Sequence, residues 1–262
     1  MSQTNPYQPL TASGRGARIT DRRFTDFSVE EIRELIATYR WLAFKDHPVT
    51  GDEVLGHLGK LGRLVQNERR KGAVLALDGS KKDEVLLGEG FMPLHKDGAL
   101  MGTNVALVGI YCVEYKDVSG GGRTFISDIE SAVADVPADD LELIRAKGIE
   151  AKPVDSYYLK PSDTWHAIAG FIDVEGKSYL NVGLPFRPGE KASWTVRMPG
   201  VEESRFQAIF ETLRSTLMNE KYCYFHEWNE GDLLLLDNKR TLHGREAFQG
   251  KRSLANIQVV AD

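Results

Sequence analysis

The sequence has little cysteine, no long apolar run and no excess of basic residues. Only two cysteines occur among 262 residues, and both Cys112 and Cys223 lie in apolar or aromatic stretches. This setting predicts buried, reduced thiols rather than a disulfide framework. No stretch approaches the roughly 20 apolar residues of a membrane span, and residues 1–24 are too polar for a signal peptide. We therefore expect a cytoplasmic protein.

The charge balance is mildly acidic, with a formal net charge of −5 at pH 7. Lysine and arginine are spread along the chain, which excludes a basic face for a nucleic-acid backbone or an anionic membrane. We interpret the short basic run at 68–71 as a solvated loop. The expected partner is a small-molecule substrate, neither nucleic acid nor membrane, and a homo-oligomer is left open.

The order of sequence patterns predicts one domain, residues 1–262, that is mainly β with peripheral helices. Two capped helices, beginning after Ser28 and at Thr50, enclose the strand "WLAFK". From about residue 84, short strands alternate with Gly, Pro and Asp turns, and two further helices interrupt them. This pattern of short strands and turns is typical of a two-sheet jelly roll, the cupin-like double-stranded β-helix. The predicted strands are "EVLLGEG", "NVALVGIYCVEY", "RTFISD", "FIDVEGKSYLNVG", "GDLLLLDN" and "RSLANIQVV".

The stretch "MPLHKDG" places an imidazole and a carboxylate, His95 and Asp97, two positions apart. Alone, it fits any polar turn. His243, 148 positions later, follows the apolar strand "LLLL", and a jelly roll brings such distant strand ends together. Two histidines and one carboxylate on one face of a metal form the triad of non-haem Fe(II) oxygenases, which leaves positions open. The remaining histidines are interpreted as packing or solvated residues: His47, His57, His166 and His226.

Two further residues suit an acidic cosubstrate. Arg252 lies nine residues beyond His243 on the last predicted strand, where a guanidinium could pair with the far carboxylate of 2-oxoglutarate. Thr124, in "GGGRTF", offers a hydroxyl to the same carboxylate. The alternative for Arg252 is an ordinary cation on a strand surface.

These motifs resemble the Fe(II)/2-oxoglutarate dioxygenases of the TauD and clavaminate synthase superfamily. Over most of the chain the likeness is greatest to carbapenem synthase, through "TASGRGARITDRRF", "GEGFMPLHKDG", "EKASWTVRMPG" and "KYCYFHEWNEGDLLLLDNKRTLHGREAF". The shorter pieces "MPLHKDG", "GGRTFIS" and "HGREAF" are also similar to isonitrile amino-acid oxygenases of the paerucumarin type. The resemblance implies Fe(II), 2-oxoglutarate and O2 as cofactor and cosubstrates, with release of succinate and carbon dioxide.

The resemblance also implies roles for individual residues. His95, Asp97 and His243 would bind iron, while Arg252 with Thr124 would hold 2-oxoglutarate. Tyr158 matches a catalytic tyrosine near the substrate, Trp194 matches a tryptophan that lines the same pocket, and core packing is the alternative for both. The residues matched or expected around the substrate are Trp194, Asn256 and Arg187.

Two departures from carbapenem synthase concern the substrate. Asn256 stands where that enzyme has a second arginine for the substrate acid, and Gly183 stands where it has a pocket tyrosine. These changes imply a larger substrate, or one whose acid is held elsewhere, for example by Arg187 or Arg197. A retained Asp97 argues against a radical halogenase.

The predicted function is oxidation of a small secondary metabolite by hydroxylation, desaturation or epimerisation. The metabolite is either a carbapenem or related β-lactam in antibiotic biosynthesis, or an amino-acid-derived isonitrile. Two other classes stay open on the sequence alone. One is a cupin-like hydrolase or isomerase that uses Zn or Mn, and the other is a catalytically idle binding module.

Overall fold

The computed structural model describes residues 7–66, 72–81, 84–99, 102–154 and 163–260. Most helices and strands in these ranges follow the predicted order, and they build two facing sheets with helices outside. The α-helices are α1 (Val29–Tyr39), α2 (Gly51–Leu61), α3 (Ile129–Ala132), α4 (Ala138–Lys147) and α5 (Glu203–Leu217).

The strands are short, apart from two long ones that run through the largest sheet. In chain order they are β1 (Ala17–Ile19), β2 (Trp41–Phe44), β3 (Arg63–Leu64), β4 (Val74–Leu77), β5 (Met92–His95), β6 (Val105–Ser119), β7 (Thr124–Asp128), β8 (Ile149–Pro153), β9 (His166–Ile168), β10 (Phe171–Val174), β11 (Lys177–Leu180), β12 (Trp194–Arg197), β13 (Cys223–His226), β14 (Leu233–Asp237), β15 (Thr241–Arg245) and β16 (Gln249–Val260).

Two sheets form the body of the fold. The larger has seven strands in the order β1-β2-β14-β6-β16-β3, with β4 also pairing with β16, and the smaller has the order β13-β7-β15-β5. A three-stranded sheet, β12-β8-β9, and the hairpin β10-β11 complete the described strands. This architecture confirms the predicted fold class, a sheet-rich double-stranded β-helix with a few helices.

Capping residues begin the first two helices where the sequence predicts. The Ser28 hydroxyl accepts from the Glu31 N–H while the Glu31 carboxylate accepts from the Ser28 N–H, and Thr50 and Glu53 repeat this capping box at α2. Each box satisfies backbone N–H groups that have no partner inside the helix. Both helices can therefore begin at a defined residue.

The run of four leucines in β14 shows how the layers are packed. Side chains alternate along a strand, so Leu233 and Leu235 join the cluster beneath α1 and α2, while Leu234 and Leu236 face the cluster between the two sheets. All four are fully buried. A central strand covered on both faces accounts for a continuous apolar run instead of an alternating one.

One predicted strand is wrong. Residues 85–90, in "EVLLGEG", form a series of bends and not a strand. The buried guanidinium of Arg245 donates to the carbonyls of Val85, Leu86 and Gly90, at 2.7 to 3.2 Å. These carbonyls therefore have a side-chain partner in place of a neighbouring strand, an arrangement that local periodicity does not reveal.

Both cysteines are buried free thiols, as predicted. In the described ranges, no helix is long and apolar enough to cross a membrane. The cytoplasmic location stays a prediction.

Gly244, next to His243, leads to a stability prediction. A Cβ at this position would collide with the Phe125 ring and lie 2.5 Å from the Met92 carbonyl oxygen. We expect Gly244→Ala to lower the free energy of unfolding by about 2 kcal/mol, as overpacking a dense core does. Gly56→Ala is the control, because a Cβ there meets nothing within 4 Å on α2. The control should stabilise by about 0.5–1 kcal/mol. Urea titration measures the free energy of unfolding of both variants, and equal changes in the two would contradict the packing argument.

The thiols lead to a second prediction. Burial, with a smaller contribution from Asp232, raises the pKa of Cys112 to about 12, and burial raises the pKa of Cys223 to about 12. Neither thiol is ionised at pH 8, and the thiolate is the reactive form. We expect no reaction of the native protein with a disulfide reagent at pH 8, and reaction of both thiols after unfolding in guanidinium. Rapid labelling of the native protein would contradict this account.

Candidate active site

Strand pairing brings the two candidate imidazoles together. β15 lies between β7 and β5, with His243 directly opposite His95. Directly opposed residues project from the same face of a sheet, and the two rings are accordingly 4.6 Å apart between centroids. Two histidines separated by 148 positions thus become immediate neighbours.

Asp97 completes the triad from the turn that follows β5. Its Oδ1 atom lies 3.4 Å from His95 Nε2 and 3.5 Å from His243 Nε2. One donor atom from each of the three residues falls within 4.8 Å of the others. Two imidazoles and one carboxylate, converging from one side, fit the facial set that holds Fe(II) and leaves positions for other ligands.

The protonation states suit a divalent metal. His95 Nδ1 lies 2.8 Å from the Pro93 carbonyl oxygen, so Nδ1 donates there and Nε2, which faces Asp97, is the nitrogen left to bind a metal. Burial lowers the pKa of His243 despite the opposing effect of Asp97. Burial would raise the pKa of Asp97, but the charge of His243 and hydrogen bonds with both histidines hold it well below its usual range. The site therefore offers an ionised carboxylate beside two imidazoles, and burial favours the neutral form of His243.

Arg252 and Thr124 meet on the interior side of the sheets. Arg252 Nη2 lies 3.3 Å from Thr124 Oγ1, and Arg252 Nε donates to the Gly122 carbonyl oxygen at 2.9 Å. Trp228 Nε1 also donates to Thr124 Oγ1, at 3.1 Å. With both lone pairs of the hydroxyl oxygen engaged, its proton remains for an acceptor outside this group. Thr124 lies two residues before Ile126, the register partner of His243, and so shares its face.

Arg252 is a buried cation with donor capacity left over. Its side chain is buried, and Nη1 has no hydrogen-bond partner among the described residues. Burial, followed by the nearby charge of Arg245, lowers the pKa of Arg252 to about 9. A carboxylate bound here would satisfy Nη1 and neutralise the charge. Arg252 and Thr124 thus fit the acidic end of 2-oxoglutarate. The burial of Arg252 differs from the alternative interpretation, a cation on a strand surface.

Trp194 forms one wall beside the triad. Its ring lies 5.5 Å from the His95 ring and 4.7 Å from the Phe186 ring, while its Nε1 donates to the Leu184 carbonyl oxygen. A Cβ on Gly183 would sit 3.5 Å from Trp194 Nε1 and 3.9 Å from His95 Cβ. The glycine therefore leaves space between the tryptophan and a candidate metal ligand.

The other residues predicted around the substrate each contact a protein group, and their substrate roles stay predictions. Asn256 directs its amide at Asp97 Oδ2, 3.0 Å away, and so contacts a candidate metal ligand. Arg187 is largely exposed, with its guanidinium 3.8 Å from Glu211 on α5. Arg197 pairs with Glu150 at the surface. Tyr158 lies outside the described residues.

The four remaining histidines have the ordinary roles predicted for them. His57 is buried against the Phe24 ring, 4.6 Å away. His226 is fully buried, with Nδ1 3.2 Å from the Tyr224 hydroxyl. His166 is exposed on β9, while His47 is part-exposed and contacts the Thr20 carbonyl oxygen.

Three residues near the triad were missed in the sequence. Gln258 Nε2 donates to Asp97 Oδ2 at 2.8 Å, and the Asn238 side chain accepts from the Asp97 N–H and donates to its carbonyl oxygen, both at 3.0 Å. Lys96, between the two ligands, turns away to the carbonyls of Leu180 and Lys239. The sequence "ANIQVV" does carry a signal for Gln258. Two amide residues alternate there with apolar residues on one strand, a pattern that puts both amides on one face, where buried amides need hydrogen-bond partners.

Comparison with known proteins agrees with this geometry. The taurine catabolism dioxygenase TauD, TfdA family matches residues 3–258. A tyrosine isonitrile desaturase of Erwinia amylovora is 26% identical over 237 residues, which cover 87% of this chain and 78% of the relative. A tyrosine isonitrile desaturase of Pseudomonas aeruginosa is 29% identical over 206 residues, which cover 73% of this chain and 67% of the relative.

A solved structure shares the fold. The structure of PvcB, described as an Fe, alpha-ketoglutarate dependent oxygenase from an isonitrile synthetic pathway, superposes with a TM-score of 0.73 at 21% identity and covers 97% of this chain and 88% of that one. The chain therefore belongs to the TauD, TfdA family, and its enzyme class is the one predicted, an Fe(II)- and 2-oxoglutarate-dependent dioxygenase that uses O2.

Proposed function

We propose that this enzyme oxidises a small, amino-acid-derived metabolite of the isonitrile type. The observation that carries the cosubstrate part is the buried Arg252 guanidinium, which has an unpartnered Nη1 among the described residues and lies beside Thr124. The substrate part is supported by the relatives, two of which are tyrosine isonitrile desaturases, and by the aromatic wall of Trp194 and Phe186.

The residues divide the work of binding. His95, Asp97 and His243 would hold iron through Nε2, Oδ1 and Nε2. Arg252 and the Thr124 hydroxyl would bind the 5-carboxylate of 2-oxoglutarate and so orient its other end toward the triad. Trp194 and Phe186 would pack against the substrate and exclude water from one side. The unpartnered donor of Arg252 beside Thr124 is what an acidic cosubstrate requires, and it therefore favours the oxygenase over a metal hydrolase in which both residues are incidental.

When bound, iron with 2-oxoglutarate and O2 supplies a two-electron oxidation, with succinate and carbon dioxide as coproducts. In a desaturation, the substrate loses two hydrogens that leave as water. In a hydroxylation, one oxygen atom enters the substrate. We propose desaturation for this enzyme, because both curated relatives described above are named for it.

The alternative substrate, a carbapenem or related β-lactam acid, has less support from the site. Carbapenem synthase uses an arginine for the substrate acid at the position of Asn256, and here that amide contacts Asp97. Gly183 leaves space next to Trp194 where that enzyme has a tyrosine. Both features favour a substrate with a flat ring beside Trp194 over a compact bicyclic acid.

The proposal is tested with the purified protein under anaerobic conditions. We expect Fe(II) and 2-oxoglutarate together to give a metal-to-ligand charge-transfer band. After admission of O2, we expect succinate, whose yield rises when tyrosine isonitrile is added.

His243→Ala should lose both the charge-transfer band and succinate formation, since it removes one of three ligands. His47→Ala, a part-exposed histidine that is not in the triad, should keep both. If the parent gave neither band nor succinate, the proposed site would be wrong. Succinate that rose only with a β-lactam acid would overturn the substrate class.

Arg252→Gln separates the two binding tasks. We expect affinity for 2-oxoglutarate to fall on the order of 100-fold, because a buried charge–charge hydrogen bond is lost. Iron binding should stay nearly intact, since Arg252 makes no described contact with the triad. Arg205→Gln is the control, because Arg205 pairs with Asp140 between α5 and α4. Titration of each variant with Fe(II) and then with 2-oxoglutarate measures both affinities. Equal loss of both would mean that Arg252 supports the metal instead.

A further inference from the structure

Two amide side chains bind one oxygen of the Asp97 carboxylate. Asn256 and Gln258 lie two positions apart on β16 and so project from one face of the strand. Asn256 Nδ2 lies 3.0 Å from Asp97 Oδ2, and Gln258 Nε2 lies 2.8 Å from the same atom. Both side chains are buried, so the hydrogen bonds are shielded from competing water.

The two oxygens of Asp97 therefore have different surroundings. Oδ1 faces the Nε2 atoms of His95 and His243, at 3.4 and 3.5 Å. Oδ2 faces only the amide donors among the contacts described for this carboxylate. Two donors occupy the two in-plane lone pairs of Oδ2. Only Oδ1 keeps lone pairs directed between the imidazoles.

The backbone of Asp97, like its side chain, is fixed by hydrogen bonds. Asn238 accepts from the Asp97 N–H and donates to the Asp97 carbonyl oxygen, both at 3.0 Å, and the same amide nitrogen also donates to the Val105 carbonyl oxygen. Rotation of the carboxylate about its bonds is then the freedom left to the residue. The contacts from β16 remove that freedom.

The donors are neutral, which affects the charge of the site. A cation in contact with Asp97 would offset the negative charge of the carboxylate. An amide holds the oxygen in place and leaves the full charge to a bound divalent ion. It also leaves no positive charge at this point to bind a substrate acid.

We propose that Asn256 and Gln258 are positioning residues that restrict Asp97 to metal binding through Oδ1 alone. The inference rests on the proposed metal site. It reassigns Asn256 from the substrate to the carboxylate ligand, and it gives Gln258 a role that nothing in the family likeness supplied. It also implies that any acid group of the substrate is bound away from β16.

The test uses Co(II), whose visible spectrum reports coordination number. Gln258→Met and Asn256→Leu remove the donors at nearly constant size. We expect each to weaken Co(II) binding about 10-fold, as loss of a hydrogen bond to a metal ligand does. The Co(II) spectrum should change as well, because Oδ2 becomes free to bind the ion. Gln249→Met, an exposed glutamine on the same strand, should match the parent in both respects.

Thermal unfolding of the metal-free variants separates positioning from folding. If Gln258→Met melts well below the parent, Gln258→Asn is used in its place. That change keeps the amide but withdraws it from Asp97 by one methylene group, so we expect the same loss of Co(II) affinity. Parent protein that binds Co(II), with variants of unchanged affinity and spectrum, would overturn the positioning role alone. A parent that binds no Co(II) would contradict the proposed metal site as well.

Discussion

The pairing of β15 with β5 is the interaction on which the site depends. It sets His243 opposite His95, and the following Gly244 allows the Phe125 ring and the Met92 carbonyl oxygen to approach the strand. A slip of one residue in this register would turn His243 to the other face of the sheet. The tight packing at Gly244 opposes such a slip, so the same contacts stabilise the sheet and orient a candidate ligand.

Three buried cations carry a desolvation penalty in this fold. Burial lowers the pKa of Lys96 to about 7, of Arg245 to about 10 and of Arg252 to about 9. Lys96 and Arg245 donate to backbone carbonyls, which hold local segments in place. Arg252 alone of these three keeps a buried nitrogen without a partner in the described structure. A buried, incompletely paired charge is unfavourable for folding, and a bound carboxylate would relieve that penalty.

The triad and its supports form two layers of interaction. The sheets supply His95 and His243 through strand register, while Asp97 comes from a turn and depends on side chains for its orientation. Asn238, Asn256 and Gln258 provide that orientation from two other strand regions. The turn residue thereby has hydrogen bonds that orient both its backbone and its carboxylate, as preorganisation for metal binding requires.

The sequence by itself predicted the two capped helices, most of the main strands and three candidate metal ligands. These rest on local physics: capping boxes at Ser28 and Thr50, the apolar run of β14, and residue types that bind metals. The tertiary structure decided what depends on distant partners. Residues 85–90 have their carbonyls bonded by Arg245, and no local pattern announces that partner. Asn256 contacts Asp97 because β16 passes beside the turn after β5. Motif likeness gave no sign of this contact, because a side chain's partner is set by which strands fold next to it.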